Sequence, residues 1–229
     1  MVRRLSGVSS VKKLLVAAAV AACAISTAAQ ASTIFAQDFS AGLTANESVG
    51  GEFGVHNGTV GNAGWYSNNA YSYYDLSLDL TSVEDAFLAI DYDIELESFH
   101  DRFNVLASTG AFAPPAGLLT PISGMSYTTV NATAYTWLTG QTAISEDASG
   151  RAVFDLASFA GQTVNLRFQF QTDYSVTGRG VNLDNVLVTG ERITSAVPEP
   201  ATWAMMIVGF FGAGSALRRA RRTGLAALA

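Results

Sequence analysis

Four carboxylates stand two residues apart at Asp91, Asp93, Glu95 and Glu97, within the string LAIDYDIELE over 88–97. On a β-strand, same-face side chains two residues apart lie about 6.6 Å from one another. Two carboxyl groups roughly 5–5.5 Å apart across a glycosidic bond perform retaining glycoside hydrolysis, so this ladder is one candidate for catalysis. The competing reading is a solvated strand face whose repulsion is eased by a cation or by an arginine from another strand, such as Arg167. Other catalytic equipment is sparse. The histidines are His56 and His100, there is no Gly-x-Ser-x-Gly, and the single cysteine, Cys23, lies in an apolar N-terminal run. The chain therefore lacks the sequence signature of a nucleophile elbow, and its His and Cys spacing does not predict a zinc site. His100, beside Asp101 at the end of a strand, reads as a turn residue. On this balance no residue is assigned a catalytic role.

Binding is better supplied. Trp65, Tyr66, Tyr71 and Tyr73, in GWYSNNAYSYY over 64–74, offer flat apolar rings with polar neighbours, suited to stacking on sugar faces. Tyr135 and Trp137 form a second candidate pair. Asn46, Asn57 and Asn131 lie in Asn-x-Ser/Thr sequons.

These groups need a scaffold, and the hydropathy pattern predicts strands. Tyr74, Leu76, Leu78 and Leu80 alternate with polar residues, as do Leu88, Ile90, Tyr92, Ile94 and Leu96, and again Val164, Leu166, Phe168 and Phe170 opposite Asn165, Arg167, Gln169 and Gln171. Each predicts a strand with one face in a core and one in water. Shorter strands are expected at 34–39, 103–107, 135–138, 152–156 and 181–188, with 111–121, rich in proline, as a loop. In VNLDNVLV (181–188) the alternation slips by one residue around Asp184-Asn185, which predicts a β-bulge. About eight strands between Gly, Asn, Ser and Pro clusters predict an all-β fold, a two-sheet antiparallel β-sandwich or jelly roll, over 32–196.

Residues 164–190, VNLRFQFQTDYSVTGRGVNLDNVLVTG, resemble the last two strands of MAM-type and carbohydrate-binding jelly rolls. The resemblance implies a jelly-roll fold of that kind. It also implies a structural Ca²⁺ near the first and last strands, where Asp38 (in FAQDF) and Asp184 stand.

The two ends read as addresses. Arg3, Arg4, Lys12 and Lys13 precede an apolar run, Leu14 to Ile25, and small residues ending at Ala31, so residues 1–31 are expected to be a signal peptide cut by signal peptidase. A second reading, a lipobox over Val20-Ala21-Ala22-Cys23, would lipidate Cys23 instead. At the other end, residues 197–229 carry Pro198-Glu199-Pro200, an apolar run over 201–217 with Trp203 near its start, and Arg218, Arg219, Arg221 and Arg222. That run is at the lower length limit for a single transmembrane helix, and the arginines would hold the C-terminus in the cytoplasm. PEPATWAMM, the following Gly209-Phe210 and the arginine cluster resemble the PEP-CTERM sorting signal of Gram-negative bacteria. This resemblance implies recognition by an exosortase, processing near the Pro-Glu-Pro motif, and export with exopolysaccharide.

Charge narrows the partners further. Between Ser32 and Ala196 there are 18 carboxylates against 5 arginines and no lysine, a net of −13, which repels phosphate backbones and excludes nucleic acid. The reading is an exported surface or matrix protein, a non-catalytic binding or structural module meeting extracellular polysaccharide. The alternatives are a secreted glycosidase using the 91–97 carboxylates, or a coat or adhesive protein without ligand.

Overall fold

The computed structural model describes residues 31–112, 117–127, 141–193 and 200–225, and the side chains of 203–219 in the last segment. The expected signal peptide, Cys23, Tyr135, Trp137, Asn131, Pro198 and Glu199 lie outside the described residues. Two units are formed, one ending at Arg192 and one beginning at Ile193.

The first unit is the predicted two-sheet antiparallel sandwich. Its strands are β1 (Ser32–Gln37), β2 (Glu47–Gly50), β3 (Phe53–His56), β4 (Thr59–Asn62), β5 (Tyr71–Asp79), β6 (Val83–Glu95), β7 (Arg102–Ser108), β8 (Gly117–Leu119), β9 (Pro121–Ser123), β10 (Ala148–Asp155), β11 (Thr163–Gln171) and β12 (Gly180–Arg192). One sheet runs β3-β4-β12-β6-β10-β9 with β1 also on β12; the other runs β2-β5-β11-β7-β8. The alternating apolar residues meet between them: Tyr74, Leu76, Leu88, Ile90, Phe168, Phe170, Leu183 and Val188 are fully buried. Tyr74 stacks on Phe168 at 5.2 Å and meets Phe39 edge-on at 5.6 Å.

Burial of the Tyr74 hydroxyl requires a partner, and Glu47 at the start of β2 provides it. Glu47 accepts from Tyr74 Oη at 2.6 Å, from Gln37 Nε2 at 2.8 Å and from the Thr44 backbone N–H at 2.6 Å. One carboxylate thus ties the end of β1, the following loop and β2 to the core.

The bulge is where the alternation slips. β12 pairs with β6 at Asp184↔Asp91 and resumes at Leu187↔Ala89, so one extra residue is accommodated. Asn185 takes φ 47° there, and Val181, Leu183, Val186 and Val188 all remain buried. Before the bulge β12 pairs with β4, and after it with β1.

Three features differ from the sequence reading. Residues 111–121 are not all loop, because Gly117–Leu119 adds an edge strand to β7 and Pro121 opens β9. Proline is tolerated there because an edge strand leaves one side of its backbone unpaired. The outward side of β11 is not wholly wet: Gln169 and Gln171 are buried. Gln169 Nε2 donates to Asn104 Oδ1 at 2.7 Å, and Asn104 Nδ2 in turn to the Thr142 carbonyl at 3.2 Å. Finally, the β3–β4 hairpin turns on Asn57 and Gly58, at φ 50° and 81°. This is the two-residue turn that Asn-Gly favours, and VHNGTV signals it directly.

In the second unit, residues Pro200–Leu225 form one helix. Trp203, Met205, Val208, Phe210 and Phe211 are exposed on it, as are Arg218 and Arg219. No helix among the described residues is long and apolar enough to cross a membrane. The expected span at 201–217 is corrected accordingly. The apolar run contains Gly209, Gly212, Gly214 and Ser215, which dilute its hydropathy, and Arg218 ends it.

Candidate ligand-binding site

The outward face of the five-stranded sheet gathers the groups best suited to a ligand. β5 and β11 pair in the register Tyr73↔Gln169 and Asp75↔Arg167, so these side chains share one face. Arg167 Nε donates to Asp75 Oδ1 at 2.7 Å and Nη2 to Oδ2 at 2.6 Å. The planar fork matches a carboxylate, and hydrogen bonding to Asp75, partly opposed by burial, raises the arginine's pKa so that its charge is fixed. The guanidinium carbon then lies 4.1 Å from the Tyr73 ring centroid and 4.5 Å from that of Phe112, a cation–π sandwich.

Tyr71 extends the surface. Its ring is 5.8 Å from Tyr73 at 44°, its hydroxyl donates to Gln169 Oε1 at 3.2 Å, and it accepts from Arg167 Nη1 at 3.3 Å. Neighbouring β2 makes room. Gly50 pairs with Tyr73, and a Cβ at Gly50 would sit 2.3 Å from the tyrosine ring. Only glycine there lets the ring lie across the strand. The result is a cluster of two mutually tilted tyrosines, one phenylalanine and one guanidinium held between the Tyr73 and Phe112 rings, with Asp75 engaged by the arginine and Gln169 buried beneath. It offers stacking and hydrogen bonding.

Of the four aromatic residues proposed from sequence, Tyr71 and Tyr73 belong to this platform. Trp65 is 72% exposed on the β4–β5 loop, apart from the strands that carry it. Tyr66 is buried and donates its hydroxyl to Asp101, so it is corrected from a stacking ring to a structural one. Sequence reasoning missed Asp75, Phe112, Arg167 and Gln169 as site residues. Arg167 was visible as a water-facing cation, but its partner depends on the β5–β11 register.

The acidic ladder is dispersed into separate contacts. Asp91 accepts from Arg151 Nη1 at 2.9 Å and from Asn185 Nδ2 at 2.9 Å. Glu95 stands 3.7 Å from Arg179, and Glu97 lies past the end of β6 in the β6–β7 turn. Arg151 and Arg179, rather than Arg167, ease the repulsion, because Arg167 belongs to the opposite sheet.

Asp38 and the bulge approach a common groove of about 410 Å³, lined by Gln37, Asp38, Asp91, Arg151, Asn185 and Leu187 among others. Asp38 accepts from the Ser40 hydroxyl at 2.7 Å and the Ser40 N–H at 3.0 Å, which lower its pKa. Asp184, one residue outside that lining, accepts from the Asn185 N–H at 2.6 Å.

The family model "Immune inhibitor A-like, MAM domain" matches residues 55–215. The chain belongs to this family. That agrees with the resemblance carried by residues 164–190, which spans the last two long strands of the MAM fold seen here. No curated protein matches the chain. Solved structures similar to it include the K3 cleaved adhesin domain of Lys-gingipain from Porphyromonas gingivalis W83, at 13% identity and TM-score 0.42, covering 70% of this chain and 99% of that one. A carbohydrate-binding module described for specific mannan recognition is similar at 14% identity and TM-score 0.37, covering 71% and 99%. The family 11 carbohydrate-binding module from Clostridium thermocellum, solved with a β-1,3-1,4-linked tetrasaccharide, is similar at 12% identity and TM-score 0.31, covering 72% and 98%.

Proposed function

We propose that this MAM-family chain is an exported, non-catalytic module that binds polysaccharide at the cell surface or in the extracellular matrix. The observation that carries the proposal is the Tyr71–Tyr73–Arg167–Phe112 cluster on the outward face of the five-stranded sheet, with Tyr71 38% exposed. Aromatic rings presenting an apolar face beside a hydroxyl, here that of Tyr71, suit stacking on a pyranose ring. The acidic charge between residues 32 and 196 favours a neutral ligand over an anionic one. The test is titration of the full-length chain against mixed-linkage β-glucan, mannan and a glycan array, with reducing-end release followed in parallel. Binding without release supports the reading. Release of reducing ends would install the glycosidase alternative, and the absence of binding would leave a coat or adhesive protein.

Export and processing belong to the same proposal and rest on the two terminal segments. Signal peptidase would act after Ala31, and an exosortase near Pro198-Glu199-Pro200. The exposed apolar side chains of the C-terminal helix support its engagement with a membrane component during sorting. Mass spectrometry of the protein from an exosortase-bearing host should find a C-terminus near residues 197–200. A chain that keeps Arg221 and Arg222 at steady state would sink the sorting reading.

A structural Ca²⁺ beside Asp38 and Asp184 is also proposed, supported by the meeting of the β1 end and the β12 bulge at one groove. Asp184→Ala should then abolish the rise in Tm that added Ca²⁺ gives the metal-stripped chain, and an equal Ca²⁺ response in parent and variant would remove calcium from this place.

A further inference from the structure

A second constellation lies just beyond the ends of β6 and β11, away from the platform. Glu97 and His100 sit in the β6–β7 turn and Asp173 two residues past β11. One ligand-type atom from each lies within 4.8 Å of the other two, and His100 Nδ1 is 3.2 Å from Asp173 Oδ2. Ligand atoms bound to one ion at about 2.1 Å in tetrahedral geometry stand roughly 3.4 Å apart, so the histidine–aspartate pair is already at chelating distance.

An independent observation points to a missing positive partner. Glu97 Oε2 is shut off from solvent and accepts no hydrogen bond. An unsatisfied buried acceptor is costly, and a charged one more so. Asp101 adds a third carboxylate to the neighbourhood, accepting from the Asp173 N–H at 2.8 Å and from Tyr66. Burial, with Asp173 and Asp101 adding to it, raises the pKa of Glu97, and His100 alone acts in the other direction.

The surroundings are rigid enough to present ligands. The Asp101 N–H is bonded to the Glu97 carbonyl at 3.1 Å and the Phe99 N–H to that of Ser145 at 2.9 Å. The Ser175 N–H holds Asp173 Oδ1 at 2.9 Å, leaving Oδ2 toward His100.

We propose that Glu97, His100 and Asp173 bind a zinc ion that clamps the β6–β7 turn to the β11–β12 loop. One imidazole and two carboxylates leave a fourth position for water. The imidazole selects against calcium, which takes six to eight oxygens. The sequence reading sought ligands close in sequence, whereas Asp173 follows β11, 73 residues after His100. The clamp also fixes Phe99 and Tyr174, both exposed side chains adjoining the ligands.

The test uses the full-length chain stripped of metal, with Zn²⁺ and Ca²⁺ titrated separately by calorimetry and thermal unfolding. Zn²⁺ should bind one per chain and raise Tm. His100→Ala, whose side chain is half exposed and whose loss spares the fold, should weaken Zn²⁺ by more than about tenfold. Glu97→Gln should weaken it comparably, and His56→Ala should leave it unchanged. Zn²⁺ affinity of His100→Ala within twofold of the parent, or tighter binding of Ca²⁺ than of Zn²⁺ that His100→Ala removes, would overturn the proposal.

Discussion

Glu47→Ala should lower the stability of the chain by about 3 kcal/mol, a fall in Tm of roughly 6–12 °C. The carboxylate is the acceptor for the Tyr74 hydroxyl, whose ring is fully buried between the sheets. Alanine leaves that hydroxyl without its acceptor and removes the bonds from Gln37 Nε2 and the Thr44 N–H together. Because these contacts hold β1 and β2 to the core, the loss spreads over the N-terminal edge of both sheets. Burial pushes the Glu47 pKa up, but hydrogen bonds from Thr44, Tyr74 and Gln37 jointly outweigh it and hold the pKa below the ordinary 4.5. The folded chain therefore binds this proton less tightly than the unfolded one. The corresponding stability is present above pH 4.5 and is lost as the pH falls through the lowered value. Glu47→Gln keeps the shape but removes the titration, so its stability should decline less on acidification than the parent's. Denaturant titrations from pH 7 down to pH 3 check both statements, and parallel pH curves for parent and glutamine variant would refute the second.

Arg167→Met should weaken polysaccharide binding by more than about 30-fold, the cost of truncating a central anchor of about 2 kcal/mol. Methionine matches the stem's length but loses the fork to Asp75 and the charge between the Tyr73 and Phe112 rings. Both rings are then free to rotate away from the sheet. Arg167→Lys should not restore affinity, because an ammonium provides neither the planar fork nor the stack. Asp93→Asn, on the opposite sheet, should leave affinity within twofold. Equal binding by Arg167→Met and parent would remove the ligand from this face, and a loss at Asp93 would return it to the acidic ladder.

The strand set was legible where burial is one-sided. Leu88 to Leu96 and Val164 to Phe170 alternate because water lies on one face and the core on the other. The bulge at Asn185 could be read from a single slipped residue, since its flanking valines must both reach the core. β2 and β4 were not legible from hydropathy. ESVG and TVGN are four residues long and rich in glycine and polar groups, and their pairing with β5 and β12 decides their conformation. The site was half legible for a related reason. Residue type identifies Tyr71 and Tyr73 as flat rings, but only the pairing of β5 with β11 puts Asp75 opposite Arg167. Tyr66 shows the converse error. Its ring type suggested a surface role, while a buried carboxylate 35 residues later takes its hydroxyl inward.

The change of partner along β12 has a kinetic consequence. This strand is the last of the sandwich in the chain yet occupies the middle of the seven-stranded sheet, bonded to β4 and β1 on one side and β6 on the other. Its far end meets Ser32 across 158 residues of sequence. Until Gly180–Arg192 has emerged from whatever delivers the chain, β1 and β4 are unpaired along their β12 sides and β6 is half-paired. Closing so long a loop before its contacts form is slow, so the domain is held open until synthesis of the sandwich is nearly complete. A chain released before residue 180 presents three bare strand edges, which makes such truncated products the species most prone to edge-to-edge aggregation.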